Sequence, residues 1–319
     1  MKRRTALALL LAVTICDGPM AQDFPTREIR FIAPFSAGGP TDIAARVISE
    51  PLRKQLGQSI ITENMPGAAG VIGTQSVISG KPDGHTLLVG GIAPIVLVPA
   101  VKELKYNVDR DLAPLGIIWR SPEVLVVRPN LKVANVKELV AYLKGLSDKA
   151  TFGSAGVGTL THLAGELFQQ EAGVDLIHVP YKSTSNSMLD VSNGQVDMIF
   201  GDVAILEPMI RSGLLKAMAV TSDQRSPLLP DVPTMGEAGY PKVQTEIWFG
   251  LMAPAKTPAP ILKKLEEAVV AAQKDPAYLK DLERFGVRLG ETGPEGLRKF
   301  IKAETERWTP ILKKTGVTF

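Results

Sequence analysis

Two turns of nearly the same composition, each set between an apolar run and a helix-forming stretch, constrain this chain most. Phe35-Ser36-Ala37-Gly38-Gly39-Pro40-Thr41 follows the apolar residues 28–33 and opens the amphipathic stretch 41–56. Gly153-Ser154-Ala155-Gly156-Val157-Gly158-Thr159 stands in the same relation to residues 150–152 and 160–172. Both contain Ser-Ala-Gly-x-x-Thr. Glycine lets the backbone turn with its amides pointing outward, and the helix start behind it carries partial positive charge. One such helix end favours an anion by roughly 0.3–1 kcal/mol, and up to ~2 when partly buried. Strand–glycine–helix turns are common in α/β proteins, so the recurrence is what singles these out. Two of them facing each other would hold a carboxylate without any Lys or Arg.

The pattern around the turns gives the fold class. Strand-like runs at 28–33, 58–63 and 85–89 alternate with helical stretches at 41–56 and 73–79, which implies a parallel sheet with right-handed crossovers. The pattern restarts after Pro122, with strands expected at 124–127, 150–152, 176–179, 196–200 and 215–220 and helices at 136–146, 160–172 and 187–193. Residues 226–240 read as a Pro- and Gly-rich connection, 248–252 as a strand, and 259–274, 276–285 and 294–314 as helices. The plan is two α/β units with a C-terminal helical set returning to the first.

The N-terminus reads as a secretory leader. Lys2, Arg3 and Arg4 precede the apolar residues 5–16, which fall short of the ~20 needed to span a bilayer. Cleavage is expected after Ala21; the alternative, a lipid anchor on Cys16, is disfavoured by the bulky Ile15 before it. Removing residues 1–21 takes three basic side chains, one acidic one and the chain's single cysteine, leaving a net charge of about +1 from the full chain's +3. A nearly neutral, cysteine-free mature chain of 298 residues fits an exported periplasmic protein and excludes a nucleic-acid binder with a basic stripe.

Other chemistry is weakly signalled. The dinucleotide and phosphate-loop fingerprints are absent, and Gly67, Gly70 and Gly73 follow a loop, where they suit tight packing. His85, His162 and His178 lack metal-pair spacing, so no metal and no cofactor are expected. Ser154 with His162 offers a hydrolase alternative with no evident acidic partner. Asp42 sits at a helix start, where its charge is favourable for local reasons alone, whereas Asp202 follows the strand-like VDMIFG and Tyr181 and Lys182 follow IHVP, places that can border a cleft.

These segments carry a resemblance. IRFIAPFSAGGPTDIAARV, NMPGAAGVIGTQSV, KPDGHTLLVG, FGSAGVGTLTHLAGELF, VPYKS, GQVDMIFGD, LKAMAVTSDQRSPLLPDVPTMGEAGYP and WFGLMAPAKTP, in order over essentially the whole mature chain, resemble the substrate-binding receptors of tripartite tricarboxylate transporters, the Bug family. The resemblance implies a two-lobed clamshell of the type II periplasmic-binding-protein class with hinge crossovers. Lobe one would comprise residues 22–122 plus 246–319, and lobe two residues 123–245. It implies a non-enzymatic receptor, acting as a monomer, that captures a small carboxylate between its lobes and passes it to membrane permease subunits. A sensory co-receptor would share the same binding. Carried over residue by residue, the ligand would meet Phe35, Ser36, Gly38, Gly39, Thr41, Asp42 and Gly91 in one lobe, and Ser154, Gly156, Thr159, Tyr181 and Asp202 in the other. This chain departs from its relatives at Gly90-Gly91-Ile92-Ala93-Pro94, where they often place polar side chains, and at Ser183, where glycine is usual. The apolar Ile92 and Ala93 favour a ligand with an apolar or aromatic body over citrate.

Overall fold

The computed structural model describes residues 24–290 and 292–315. The expected leader, with Cys16, lies outside them. In chain order the elements of the first half are β1 (Ile29–Ala33), α1 (Pro40–Leu56), β2 (Ile60–Asn64), α2 (Val71–Ile78), β3 (Thr86–Gly91), α3 (Val98–Val101), α4 (Val108–Asp111), β4 (Leu112–Val127) and α5 (Val136–Lys144). They continue with β5 (Ala150–Ser154), α6 (Leu160–Ala172), β6 (Leu176–Pro180), α7 (Thr184–Ser192), β7 (Met198–Asp202), α8 (Val203–Arg211) and β8 (Lys216–Val220). The chain closes with β9 (Glu246–Pro254), α9 (Ala259–Ala272), α10 (Pro276–Arg284) and α11 (Gly293–Thr315).

The fold is a two-lobed α/β clamshell. In one lobe β1 pairs in parallel with β2 and β3, and β9 joins β3 antiparallel. In the other, β5 pairs in parallel with β6 and β7. The long strand β4 belongs to both sheets. It pairs with β9 up to Pro122↔Glu246, then with β7 from Glu123↔Asp202 onward and with β8 beside it. The C-terminal helices return to the first lobe, where Leu265, Val269, Leu282, Leu297 and Trp308 join one core with Phe31, Ile48, Trp119 and Trp248. Fully burying one such side chain stabilises by roughly 1.5–3 kcal/mol, so this return, rather than chain order, defines the lobe.

Alternation along β4 divides the second lobe's core. Leu125 and Val127 face α5 and α6 with Met198 and Phe200, while Val124 and Val126 face the other side with Ile199, Val203 and Leu206. Helices α1 and α6 run away from the strand ends that feed them and stop at left-handed glycines. Gly57 and Gly173 return their amides to the carbonyls of Arg53 and Gln169.

Differences from the sequence reading are largest at three stretches. β4 is sixteen residues long, not the four expected, because register shifts beside Gly116 and between Ile117 and Trp119 let residues 112–122 pair with β9 despite their glycine and prolines. Helix α8 was not anticipated, since Pro208 interrupts its apolar pattern. Helix α7 begins at Thr184 rather than near Ser187, with Ser183 capping it: the Ser183 hydroxyl oxygen accepts from the Asn186 amide.

Candidate functional site

Three helix starts meet between the lobes. A small cavity of about 60 Å³ is lined by Gly39, Pro40 and Thr41 at the start of α1, by Thr159, Leu160 and Thr161 at the start of α6, and by Ser183 and Thr184 at the start of α7. Gly91, Ile92, Ala93, Ile247 and Phe249 complete its wall from the first lobe, and no Lys or Arg lines it. A larger cavity of about 570 Å³ adjoins it, since Phe35 and Ala155 line both. Its wall is mostly apolar, from the 66–71 loop, Val98, Leu104 and Val157, with Gly156, Tyr181, Lys102 and Lys182 among the lining.

The amides left unpaired at these turns belong to the helices rather than to the glycines. The sequence reading expected the glycine N–H groups to point outward; the structure engages them inside the turns. Gly38 donates to the Asp42 carboxylate at 3.1 Å, Gly39 to the Ser36 carbonyl, Gly156 to the Ser154 hydroxyl at 3.0 Å and Gly158 to His162 Nδ1 at 3.1 Å. The amides of Thr41 and Asp42, of Leu160, Thr161 and His162, and of Thr184 and Ser185 have no partner among the described residues. They are the first-turn donors that every helix leaves over, here from three helices in two lobes. The Thr41 hydroxyl, on the cavity wall, also makes no hydrogen bond among the described residues.

The two turns match in shape, but not in the register of their shared motif. Each helix is preceded by a residue in extended conformation, Gly39 or Thr159, and before that by a left-handed glycine, Gly38 at φ 75° or Gly158 at φ 76°. In each, the glycine amide is accepted by the third helical residue, Asp42 or His162. Ser-Ala-Gly-x-x-Thr would instead equate Gly38 with Gly156, so the structural equivalence is shifted by two residues.

Of the residues expected to meet ligand, Phe35, Gly39, Thr41, Gly91 and Thr159 come together around the small cavity, and Phe35, Gly156 and Tyr181 around the large one. Ser36, Gly38, Asp42, Ser154 and Asp202 line neither. Burial raises the Asp42 carboxyl, but the Arg46 guanidinium and the Gly38 amide outweigh that and hold it below the usual aspartate value. Asp202 is corrected from a cleft residue to a buried one. Its oxygens accept from the Ser121 hydroxyl at 2.8 Å, the Ala204 amide at 2.8 Å and the Trp119 indole, and burial pushes its carboxyl up to about 6. The Tyr181 hydroxyl donates to Asp190 at 2.5 Å, which leaves the ring face for the cavity.

The hydrolase alternative fails on geometry. Ser154 is fully buried, and its hydroxyl meets His178 Nε2 at 2.6 Å rather than His162. An attacking oxygen needs access to substrate, and this one has none. Ser183 and Thr184 were not anticipated as lining residues. The polar run that follows the strand IHVP was their only signal, because that turn lacks the glycines that marked the other two. Gly73 packs as expected, for an added Cβ would lie 2.9 Å from Pro34 and from the Met65 carbonyl. Gly67 and Gly70 instead shape the wall of the large cavity, at φ 139° and 88°.

Comparison with known proteins supplies relatives for this architecture. The family described as tripartite tricarboxylate transporter family receptor matches residues 44–317. The solved periplasmic binding protein BugD is 35% identical, covers 92% of this chain and 99% of its own, and superposes with a TM-score of 0.86. MatC of Rhodopseudomonas palustris, solved with bound malate, is 33% identical with a TM-score of 0.85, covering 91% of this chain and 100% of its own. An R. palustris protein solved with adipate is 30% identical with a TM-score of 0.88, covering 93% and 99%.

Proposed function

The chain belongs to the tripartite tricarboxylate transporter receptor family, the Bug receptors, and on that premise we propose that it captures a small carboxylate with an apolar or aromatic body in the cleft between its lobes and delivers it to membrane permease subunits. The observation that carries this reading is the convergence of three helix N-termini, from both lobes, on one small cavity without a paired cation. A carboxylate head accepts from the unpartnered first-turn amides and the Thr41 hydroxyl, while Ile92, Ala93, Phe35 and the apolar walls of the large cavity receive the body. Malate and adipate in the relatives support the carboxylate; the apolar wall supports the body.

Micromolar affinity requires about −8 kcal/mol, more than helix ends alone supply at up to ~2 each. Closure of the lobes and apolar contact provide the remainder. We place the hinge where β4 leaves β9 for β7 and where the chain re-enters β9, dividing the protein into residues 22–122 plus 246–319 and residues 123–245. The mature receptor works as a periplasmic monomer after loss of residues 1–21.

Isothermal titration of the mature protein with citrate, succinate, malate, adipate and aromatic monoacids tests this. At least one apolar-bodied acid is expected to bind more tightly than citrate. Tight citrate binding with no response to aromatic or aliphatic acids contradicts the apolar body, and no binding of any acid contradicts the receptor reading.

A further inference from the structure

Helices α1 and α6 offer the cleft two poles of unequal strength, and the difference lies in the third residue of each. In both, that side chain accepts the amide of the left-handed glycine and so fixes the turn. In α1 the acceptor is Asp42, whose charge is balanced on its own helix by Arg46, with Nε at 3.0 Å. In α6 the acceptor is His162, and the residue one turn on is Glu166, with an oxygen 3.5 Å from His162 Nε2. His162 Nδ1 accepts an N–H, so that nitrogen carries no proton and the proton sits on Nε2, facing Glu166. The ring thus serves the turn as an acceptor without being an anion.

We propose that His162 is a positioning and specificity-determining residue for the carboxylate: it fixes the α6 turn as Asp42 fixes the α1 turn, but without adding an anion, and so leaves the positive pole of α6 for the ligand. This rests on the carboxylate reading above and makes α6 the stronger of the poles that meet the ligand's charged end. An acidic residue here would stand beside both the ligand carboxylate and Glu166, with no arginine to balance it.

The surroundings hold the ring in place. His162 stacks on His178 with centroids 3.9 Å apart and 16° between planes, and His178 stacks on Phe152 at 4.9 Å. His178 in turn meets the Ser154 hydroxyl, which accepts from the Gly156 amide. Two imidazoles on different elements thus fix the two left-handed glycines of one turn, Gly158 directly and Gly156 through Ser154. Burial above all pushes His178 down to about 4, so it is uncharged at neutral pH. The titratable groups facing the pair are each other and Glu166, to which Gln169 also donates.

Three variants separate the roles. His162→Asn keeps a neutral acceptor for Gly158, His162→Asp keeps the acceptor and adds a charge, and His162→Phe keeps a stacking ring and removes the acceptor. Titrations at pH 8 with adipate and benzoate, using whichever the wild type binds, are expected to show His162→Asn within about threefold of wild type. His162→Asp is expected to bind at least tenfold more weakly than His162→Asn. In the ligand-free proteins, hydrogen exchange at the Gly158 amide should be slow in wild type and in the Asn and Asp variants, and fast in His162→Phe. Equal affinity of the Asp and Asn variants, with wild type binding normally, overturns the charge assignment alone. Slow Gly158 exchange in His162→Phe overturns the positioning role. Failure of wild type to bind these probes or any other acid of the titration panel overturns the assignment together with the reading it rests on.

Discussion

Glu123 is the residue on which the junction between the lobes depends most visibly. It is fully buried at the point where β4 changes sheets, in register with Asp202. One carboxyl oxygen accepts from the Thr245 hydroxyl, on the returning segment, and the other has no partner among the described residues. Burial, with the nearby Asp202 adding to it, pushes the Glu123 carboxyl up to about 8 from an ordinary 4.5. A carboxyl raised by folding binds its proton more tightly in the native state, so stability falls as pH rises from about 4.5 to about 8 and levels off above. The raised Asp202 has finished its similar loss by about 6, and the lowered His178, whose contribution rises with pH, by about 6.5. Between pH 6.5 and 8 Glu123 therefore acts alone among these three groups. Urea denaturation should show a loss of about 2 kcal/mol over that window, and Glu123→Gln should flatten it. A flat wild-type profile would refute the buried neutral carboxyl. Nothing in the sequence signalled this: Glu123 simply follows Pro122, where the pattern restarts, and Asp202 reads as a cleft residue at a strand end. Burial of both depends on β4 pairing with β7, a contact across about eighty positions.

Among the elements, α6 was the most legible, with its ends at Leu160 and Ala172 set by an apolar stripe and a closing Gly173. β4 was the least, since the bulges that make it continuous are imposed by β9 and not by local preference. α6 also lies unusually close to its strand. An added Cβ at Gly165 would fall 2.2 Å from the Phe152 ring, the same ring on which His178 stacks. Gly165→Ala should destabilise by about 1–3 kcal/mol through overpacking, measurable as a lowered denaturation midpoint. Gly38→Ala has open space and only its left-handed backbone to oppose it, so its cost should be near 1 kcal/mol. The recurrence of Ser-Ala-Gly-x-x-Thr led to the right places for a reason other than its register. Glycine, a hydroxyl residue and a helix start cluster wherever a chain must turn tightly into a helix, and the alignment of the letters is two residues off the alignment of the structures.

For the molecule as a whole, the lobes already touch across the cleft. The Ser185 hydroxyl, in the first turn of α7, donates to the Gly38 carbonyl at 3.1 Å. Removing one exposed hydrogen bond costs about 0.5–1.5 kcal/mol, so Ser185→Ala should speed ligand dissociation by roughly 2- to 12-fold with little change in association. Stopped-flow fluorescence of Trp119 and Trp248 would read both rates, and an unchanged dissociation rate would show that the bridge does not hold the closed state. The two-lobed plan was legible from the restart of the strand–helix pattern after Pro122. The third helix start was not, because α7 enters the cleft through tertiary packing and carries no glycine to mark its turn. The proposed holding of the ligand's negative charge by helix ends rather than by a basic side chain is tested most directly by calorimetric titration of a bound acid against its uncharged primary amide. Binding of the acid and at least a hundredfold loss for the amide are expected, both retained when Lys102 and Lys182 are replaced by methionine. Equal binding of acid and amide, or loss of acid binding in the lysine variants, would contradict it.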